Sequence, residues 1–273
     1  MTTPLSLLVL GDSTAFTDAS GPQLPDAPHL YPNVAARHLA DRLGRDVEVT
    51  VVAQPGATVR EALRAATKDR HVQFDLLAHA DAVVVGVGSF DHAPAGVPPS
   101  VQAVVPYLRP AGLRRRVRTG LHRAYPLVVT LRRGRGARTP PREFHRLYGE
   151  LLDQVRSITW GRAAGAALGP TSHRSAYYGH RHPGHARAEV RQLAQARAHG
   201  FAAVPVWSRV VDHLEALNDD GIHWPAEAHA AIGADVAAAL LPQLTGEAPT
   251  TGLPAAYQEH LEAYQAAHAD DEQ

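Results

Sequence analysis

The chain has 273 residues, 45% hydrophobic and 20% charged, the balance of a soluble globular protein whose core needs no staple. Lys plus Arg and Asp plus Glu are each 27, so overall charge makes no case for a nucleic-acid binder. The absence of cysteine excludes disulfides and thiolate metal sites, and no apolar run approaches the roughly 18–20 residues that span a bilayer.

Leu5–Leu10 reads as a buried strand. No basic stretch precedes it and it passes straight into Gly11-Asp12-Ser13. A cleaved signal peptide is therefore not expected, and the expected location is cytoplasmic. Asp18–Pro32, rich in Pro, Gly and Asp, reads as a loop. Asn33–Leu43 has helical spacing, with Gly44 as a stop. Val47–Val52 is a second strand, and Thr58 with Glu61 makes a capping-box pattern at the head of a helix to Lys68. Ala82–Val85 is a third strand, ending in Gly86-Val87-Gly88. Helical patterns follow over Pro98–Leu108 and Pro141–Trp160, separated by Arg109–Arg138, which carries ten arginines and no acid. Gly165–Leu168 is a weak strand leading into His173–His185. Ala186–His199 reads as a helix, Ala202–Val206 as the last strand and Ser208 as the cap of a short helix. Pro225 fits the first turn of a helix to Leu241, and Pro254–His268 reads as a terminal helix.

This alternation predicts an α/β fold: a three-layer α/β/α sandwich around a parallel sheet. Residues 1–245 are read as one catalytic domain with an Arg-rich lid inserted at about 109–140. Residues 246–273 are read as a C-terminal helix and polar tail.

Two motifs at opposite ends carry the chemistry. Ser13 falls where a strand should end and a loop begin, the place where an open α/β sheet presents its ligands. Asp220-Gly221-Ile222-His223 runs into a helix. A serine supplies the attacking oxygen, a histidine takes its proton, and an aspartate holds the imidazole tautomer. A turn and a helix-capping aspartate would explain either motif alone. The set is stronger, because Gly56 follows the second strand and Gly88-Ser89-Phe90-Asp91 follows the third.

That set resembles the SGNH (GDSL-like) hydrolase superfamily over residues 5 to about 241. Its first, second, third and fifth blocks match Gly11-Asp12-Ser13, Gly56, Gly88-Ser89-Phe90-Asp91 and Asp220-Gly221-Ile222-His223. The resemblance implies a flavodoxin-like sheet, Ser13 as nucleophile, His223 as base and Asp220 as orienter. It also implies an oxyanion hole containing the backbone N–H groups of Ser13 and Gly56. One position departs: the third block usually carries an Asn whose amide joins that hole, and here it is Phe90. Losing one such donor costs about 100- to 1,000-fold in rate.

A closer resemblance is to the actinobacterial diglucosylglycerate octanoyltransferases, a branch that also lacks this Asn. Tyr31-Pro32-Asn33, Gly56-Ala57-Thr58, Tyr107-Leu108-Arg109-Pro110, Tyr178-Gly179 and Asp220-Gly221-Ile222-His223-Trp224 carry the likeness. It implies transfer of an octanoyl group from acyl-CoA, a co-substrate and not a bound cofactor, to a glucosylated glycerate in methylglucose lipopolysaccharide synthesis. A thioester carbonyl is more electrophilic than an oxygen ester, so such a donor tolerates a two-donor hole better. The alternative is an esterase or carbohydrate deacylase with water as acceptor.

Arg114, Arg115, Arg116 and Arg118 are candidates for coenzyme A phosphates or an acceptor carboxylate, against a merely solvated loop. The interleaved Leu113, Leu121, Tyr125 and Val128 suit an acyl pocket, a peripheral membrane contact or simple lid packing. Tyr177, Tyr178 and His182 suit acceptor hydrogen bonding. The histidines at 173, 180, 182 and 185 lack ligand spacing, so no metal is expected. Asp12, Phe90, Asp91, Arg114, Arg115, Tyr178, His182 and Trp224 are thus the residues expected around the substrate. Among them Asp12 and Asp91 are expected to hold their turns, and Trp224 to pack the last helix together with His229. Oligomeric state is left open.

Overall fold

The computed structural model describes residues 3–97 and 104–247. Five strands form one parallel sheet: β1 (Leu5–Gly11), β2 (Val47–Ala53), β3 (Ala82–Gly86), β4 (Ala164–Leu168) and β5 (Ala202–Val204). Their spatial order is β2-β1-β3-β4-β5. The order reverses between β1 and β3, and the crevice outside the carboxyl ends of those strands is where such sheets bind ligands. Five longer helices flank the sheet, α1 (Tyr31–Leu43), α2 (Val59–Lys68), α4 (Pro141–Ile158), α5 (His185–Ala198) and α6 (Ala226–Leu244), while α3 (Ala111–Leu131) packs on the turns Val105–Tyr107 and Ala176–Tyr178.

Successive strand side chains point to opposite faces, so the sheet has two cores. Leu7, Val9, Val84 and Ala166 meet Tyr31 and Leu39 of α1 and Ile232, Val236 and Leu240 of α6. Leu8, Leu10, Val83, Val85 and Ala167 meet α2 and α4 through Ala62, Ala66, Phe144, Tyr148, Leu151 and Leu152. β1 and β3 are covered on both sides, which is why their sequences read as unbroken apolar runs. β4 is Ala-Gly-Ala-Ala-Leu, weak by propensity. Its glycine is required by packing, since a Cβ on Gly165 would lie 2.7 Å from the Phe201 ring. Where α1 crosses α6, a Cβ on Gly233 would lie 2.5 Å from the Cβ of Val34. α1 and α6 therefore pack with backbones nearly touching.

Several expected boundaries move. The loop expected over Asp18–Pro32 contains a two-residue antiparallel ribbon, Thr17–Asp18 against Gly21–Pro22, and α1 starts at Tyr31. The Arg-rich segment is largely α3, 21 residues long with Pro126 inside it. Only Tyr125 and Val129 of α3 are buried. Within the expected helix Pro98–Leu108, residues 98–103 lie outside the described residues, and Val105–Tyr107 is a single 3-10 turn. Ser208 lies inside the short helix Trp207–Val210 and donates to the Pro205 carbonyl at 3.0 Å, so it does not cap it. Pro225 sits at the N-cap of α6, and that helix runs past Pro242 to Leu244. The helix expected over Pro254–His268 lies outside the described residues. No helix among the described residues is long and apolar enough to cross a membrane.

Candidate active site

β1 ends at Gly11, paired with Ala53 of β2 and Gly86 of β3, so the sheet edge beneath the next turn is built of small residues. Asp12 then caps a 3-10 turn, Ser13–Ala15. Its Oδ1 accepts from the Thr14 N–H at 2.9 Å and from the Thr14 hydroxyl at 2.7 Å. The buried carboxylate is thereby committed to the turn that presents Ser13. Burial pushes its pKa up, and the Thr14 hydrogen bonds only partly oppose this.

The other half of the site comes from the loop ahead of α6. His223 Nε2 lies 2.9 Å from Ser13 Oγ, and His223 Nδ1 lies 2.8 Å from Asp220 Oδ2. Asp220 Oδ1 also accepts from the Ile222 N–H at 2.8 Å. Burial pushes the Asp220 carboxyl up, but the hydrogen bonds from His223 and Asn218, the His223 charge and the Ile222 N–H outweigh it and hold it at about 2. A permanently ionised acceptor at Nδ1 keeps the ring proton there and leaves the Nε2 lone pair facing the serine.

Asn218 is a member of this loop that the motif spacing does not reveal. Its Oδ1 accepts from the His223 N–H at 3.1 Å and the Ile222 N–H at 3.3 Å, and its Nδ2 lies 3.3 Å from His223 Nδ1. The only sequence signal for it is the turn composition of Asn218-Asp219-Asp220-Gly221. Gly221 has φ +70°, and a Cβ there would lie 2.6 Å from the Arg174 carbonyl carbon. The loop therefore rests directly on the backbone of residues 174–175.

On the side expected to hold the oxyanion, Gly56 packs against Phe90. Gly56 has φ +65°, and a Cβ on it would lie 2.9 Å from the Phe90 ring. The ring thus fills the space beside this glycine. The Arg138 guanidinium lies over the same ring, 4.1 Å from its centroid.

Asp91 is fully buried and does not face substrate. Its Oδ2 accepts from the Val59 N–H at 2.8 Å, and its Oδ1 accepts from the Thr139 hydroxyl at 2.6 Å. It ties the start of α2 to the segment after α3. Burial pushes its pKa up to about 7, against the Thr139 and Val59 hydrogen bonds. An aspartate whose folded pKa lies above its ordinary 3.8 stabilises the fold below that value, and the stabilisation is lost as pH rises through the folded pKa. Asp91→Asn keeps an acceptor for Val59 and a donor toward Thr139. It is expected to fold and to flatten the fall in Tm between about pH 4 and pH 7, measured by thermal melts. An unchanged slope would refute the role given to Asp91.

A family model described as GDSL-like Lipase/Acylhydrolase matches residues 9–231, from β1 through the histidine loop. The chain belongs to this GDSL-like family. It is 32% identical over 234 residues to the diglucosylglycerate octanoyltransferase of Mycolicibacterium hassiacum, covering 83% of this chain and 91% of that protein. It is 30% identical over 232 residues to the protein of the same name from Mycobacterium tuberculosis, covering 83% and 88%. Among solved structures, a lipase/acylhydrolase from Enterococcus faecalis superposes with TM-score 0.54 at 14% identity, covering 90% of this chain and 98% of that one, a likeness of fold.

In this GDSL-like protein, Trp224 is buried, with ring centroids 6.2 Å from Tyr31 and 5.3 Å from His229. It packs the foundation of the site instead of touching substrate. His182 is likewise engaged: its Nε2 faces the His92 carbonyl at 2.9 Å, and its ring stacks on His173 at 5.1 Å. Among the described residues no histidine or acid cluster could hold a metal ion. Tyr178 is buried in a third apolar cluster with Ala93, Val97, Tyr125 and Val129, against which Phe90, Leu121, Tyr177 and Ile222 pack. That cluster links α3 to the residue next to His223. Beside it runs a groove of about 950 Å³ lined by Val97, Leu121, Tyr125, Tyr177, Arg114, Arg115 and Arg118. The expected lid is therefore a helix with an apolar flank toward the site and arginines along the groove.

Proposed function

We propose that this protein is a serine-dependent acyltransferase that moves an octanoyl group from acyl-CoA to a glucosylglycerate. The Ser13–His223–Asp220 alignment, at 2.9 and 2.8 Å, carries the reading. The two octanoyltransferases it resembles along most of its length favour transfer over hydrolysis.

Ser13 Oγ attacks the thioester carbonyl as His223 Nε2 takes its proton. The tetrahedral intermediate collapses, the C–S bond breaks, and the thiol leaves with the proton from His223. An acceptor hydroxyl then gives its proton to His223 and attacks the acyl-serine, and Ser13 leaves as the alcohol. The backbone N–H groups of Ser13 and Gly56 serve the oxyanion. The groove beside α3 suits the donor, its apolar wall taking the acyl chain and Arg114, Arg115 and Arg118 the phosphates.

Octanoyl-CoA incubated with and without a glucosylglycerate tests this. Slow thioester loss alone, a clear acceleration with the sugar acid, and the octanoyl mass on the sugar are the expected results. Rapid hydrolysis with no acylated sugar would favour an esterase.

A further inference from the structure

We propose that Arg138, held on the face of Phe90, binds the carboxylate of the acyl acceptor through its free N–H groups beside the reacting serine. This rests on the transferase reading above and names the part of the acceptor that the site recognises.

The cation is built into place. The Arg138 N–H donates to the Ala93 carbonyl at 3.0 Å, and the Thr139 N–H donates to the Asp91 carbonyl at 2.9 Å. The Ala95 N–H donates to the Gly136 carbonyl at 2.8 Å, and Pro94 and Ala137 form an antiparallel bridge. The Asp91–Thr139 side-chain bond closes the same seam. Residues 136–139 are thus laced to the stretch just after Phe90, and the guanidinium lies over that ring. Stacking on an aromatic face holds a guanidinium while leaving its N–H fork unused.

That fork has no anion. Arg60, Arg146, Arg174 and Arg209 each hold a carboxylate. Arg138, half-buried, has no ion pair among the described residues. A partly desolvated cation without a counter-charge is costly unless a ligand supplies one.

Its surroundings place it beside the catalytic loop. Burial pushes the phenol groups of Tyr177 and Tyr178 up in pKa, and the Arg138 charge acts on both in the opposite sense. Asp220 acts on Tyr178 as well, so the cation, two phenols and the catalytic loop share one region. A carboxylate accepts two parallel N–H bonds from a guanidinium. The donor's charges are a poor match. The phosphates of an acyl-CoA are separated from its thioester by the whole pantetheine arm. They cannot reach Arg138 while the carbonyl is at the Gly56 N–H. A compact sugar acid can place its carboxylate there and a hydroxyl near His223.

The test compares two acceptors, glucosylglycerate and neutral glucosylglycerol, with wild type, Arg138→Gln and Arg138→Lys. Losing a charge-assisted pair should raise the acceptor KM of the acid about 10- to 100-fold in the Gln variant, with a far smaller change for the neutral acceptor. The Lys variant should recover part of the loss, and matching Tm values confirm folding. Equal effects on both acceptors would overturn the proposal, as would an effect confined to the acyl-CoA KM. Calorimetric titration with glucosylglycerate reads the site without turnover. Binding by wild type and its loss in Arg138→Gln supports the site even if no acyl group is transferred, an outcome that would sink the transferase reading alone. No binding by wild type overturns the Arg138 assignment.

Discussion

Ser13→Ala and His223→Ala are each expected to cut acyl transfer by about a millionfold, and the double variant by little more. The two side chains share one hydrogen bond of 2.9 Å, so each is useless without the other. An alanine at position 13 leaves His223 with no proton to accept, and an alanine at 223 leaves Ser13 an ordinary alcohol. Ser13 lies in a turn whose backbone is held by Asp12 and Thr14, so its removal should not disturb folding. A fluorophosphonate probe should mark wild type and leave Ser13→Ala unlabelled. Labelling of that variant, or multiplicative losses in the double variant, would show that the pair does not act as a unit.

Asp220→Asn should lower turnover by about ten-thousandfold while leaving the fold intact. The effect follows from the tautomer. The Asp220 carboxylate accepts only, which keeps the proton on Nδ1. With an amide at 220, and the Asn218 amide already 3.3 Å from Nδ1, both neighbours can donate there. The ring proton then moves to Nε2 and faces Ser13 as a donor, so the serine cannot be deprotonated. Steady-state turnover measures this, with melting curves as the control. Near wild-type turnover in Asp220→Asn would remove Asp220 from its orienting role.

The sheet was legible where burial is symmetrical. β1 and β3 lie between two helical layers, and their unbroken apolar runs say so. The Thr58–Glu61 capping box was equally plain, because it is a local pattern with a local cause. α3 was harder. Gly112, Gly120 and Pro126 break up a run of arginines, and they hide the spacing of Leu113, Val117, Leu121 and Tyr125 along one helix. At the site, spacing brought Ser13, Asp220 and His223 to notice, because residues held together by a short loop leave a short motif. Arg138 and Asn218 leave none. Arg138 reaches Phe90 through a seam that depends on how the chain returns from α3, and Asn218 looks like ordinary turn material. Asp91 and Trp224 lie close to the motifs in sequence, but packing seals both inside, one tying its loop and the other supporting the last described helix.

The distance along the chain between Ser13 and His223, 210 positions, also decides when this protein can first acylate anything. During synthesis the serine emerges long before its base. The base arrives just ahead of the last described helix, which must still settle against α1 at the Gly233–Val34 crossing. Until that docking Ser13 is expected to be inert. A nascent chain, or one cut before α6, carries the serine without the means to use it. On the proposed reading, acyl transfer is in this way withheld from every species in which α6 has not docked.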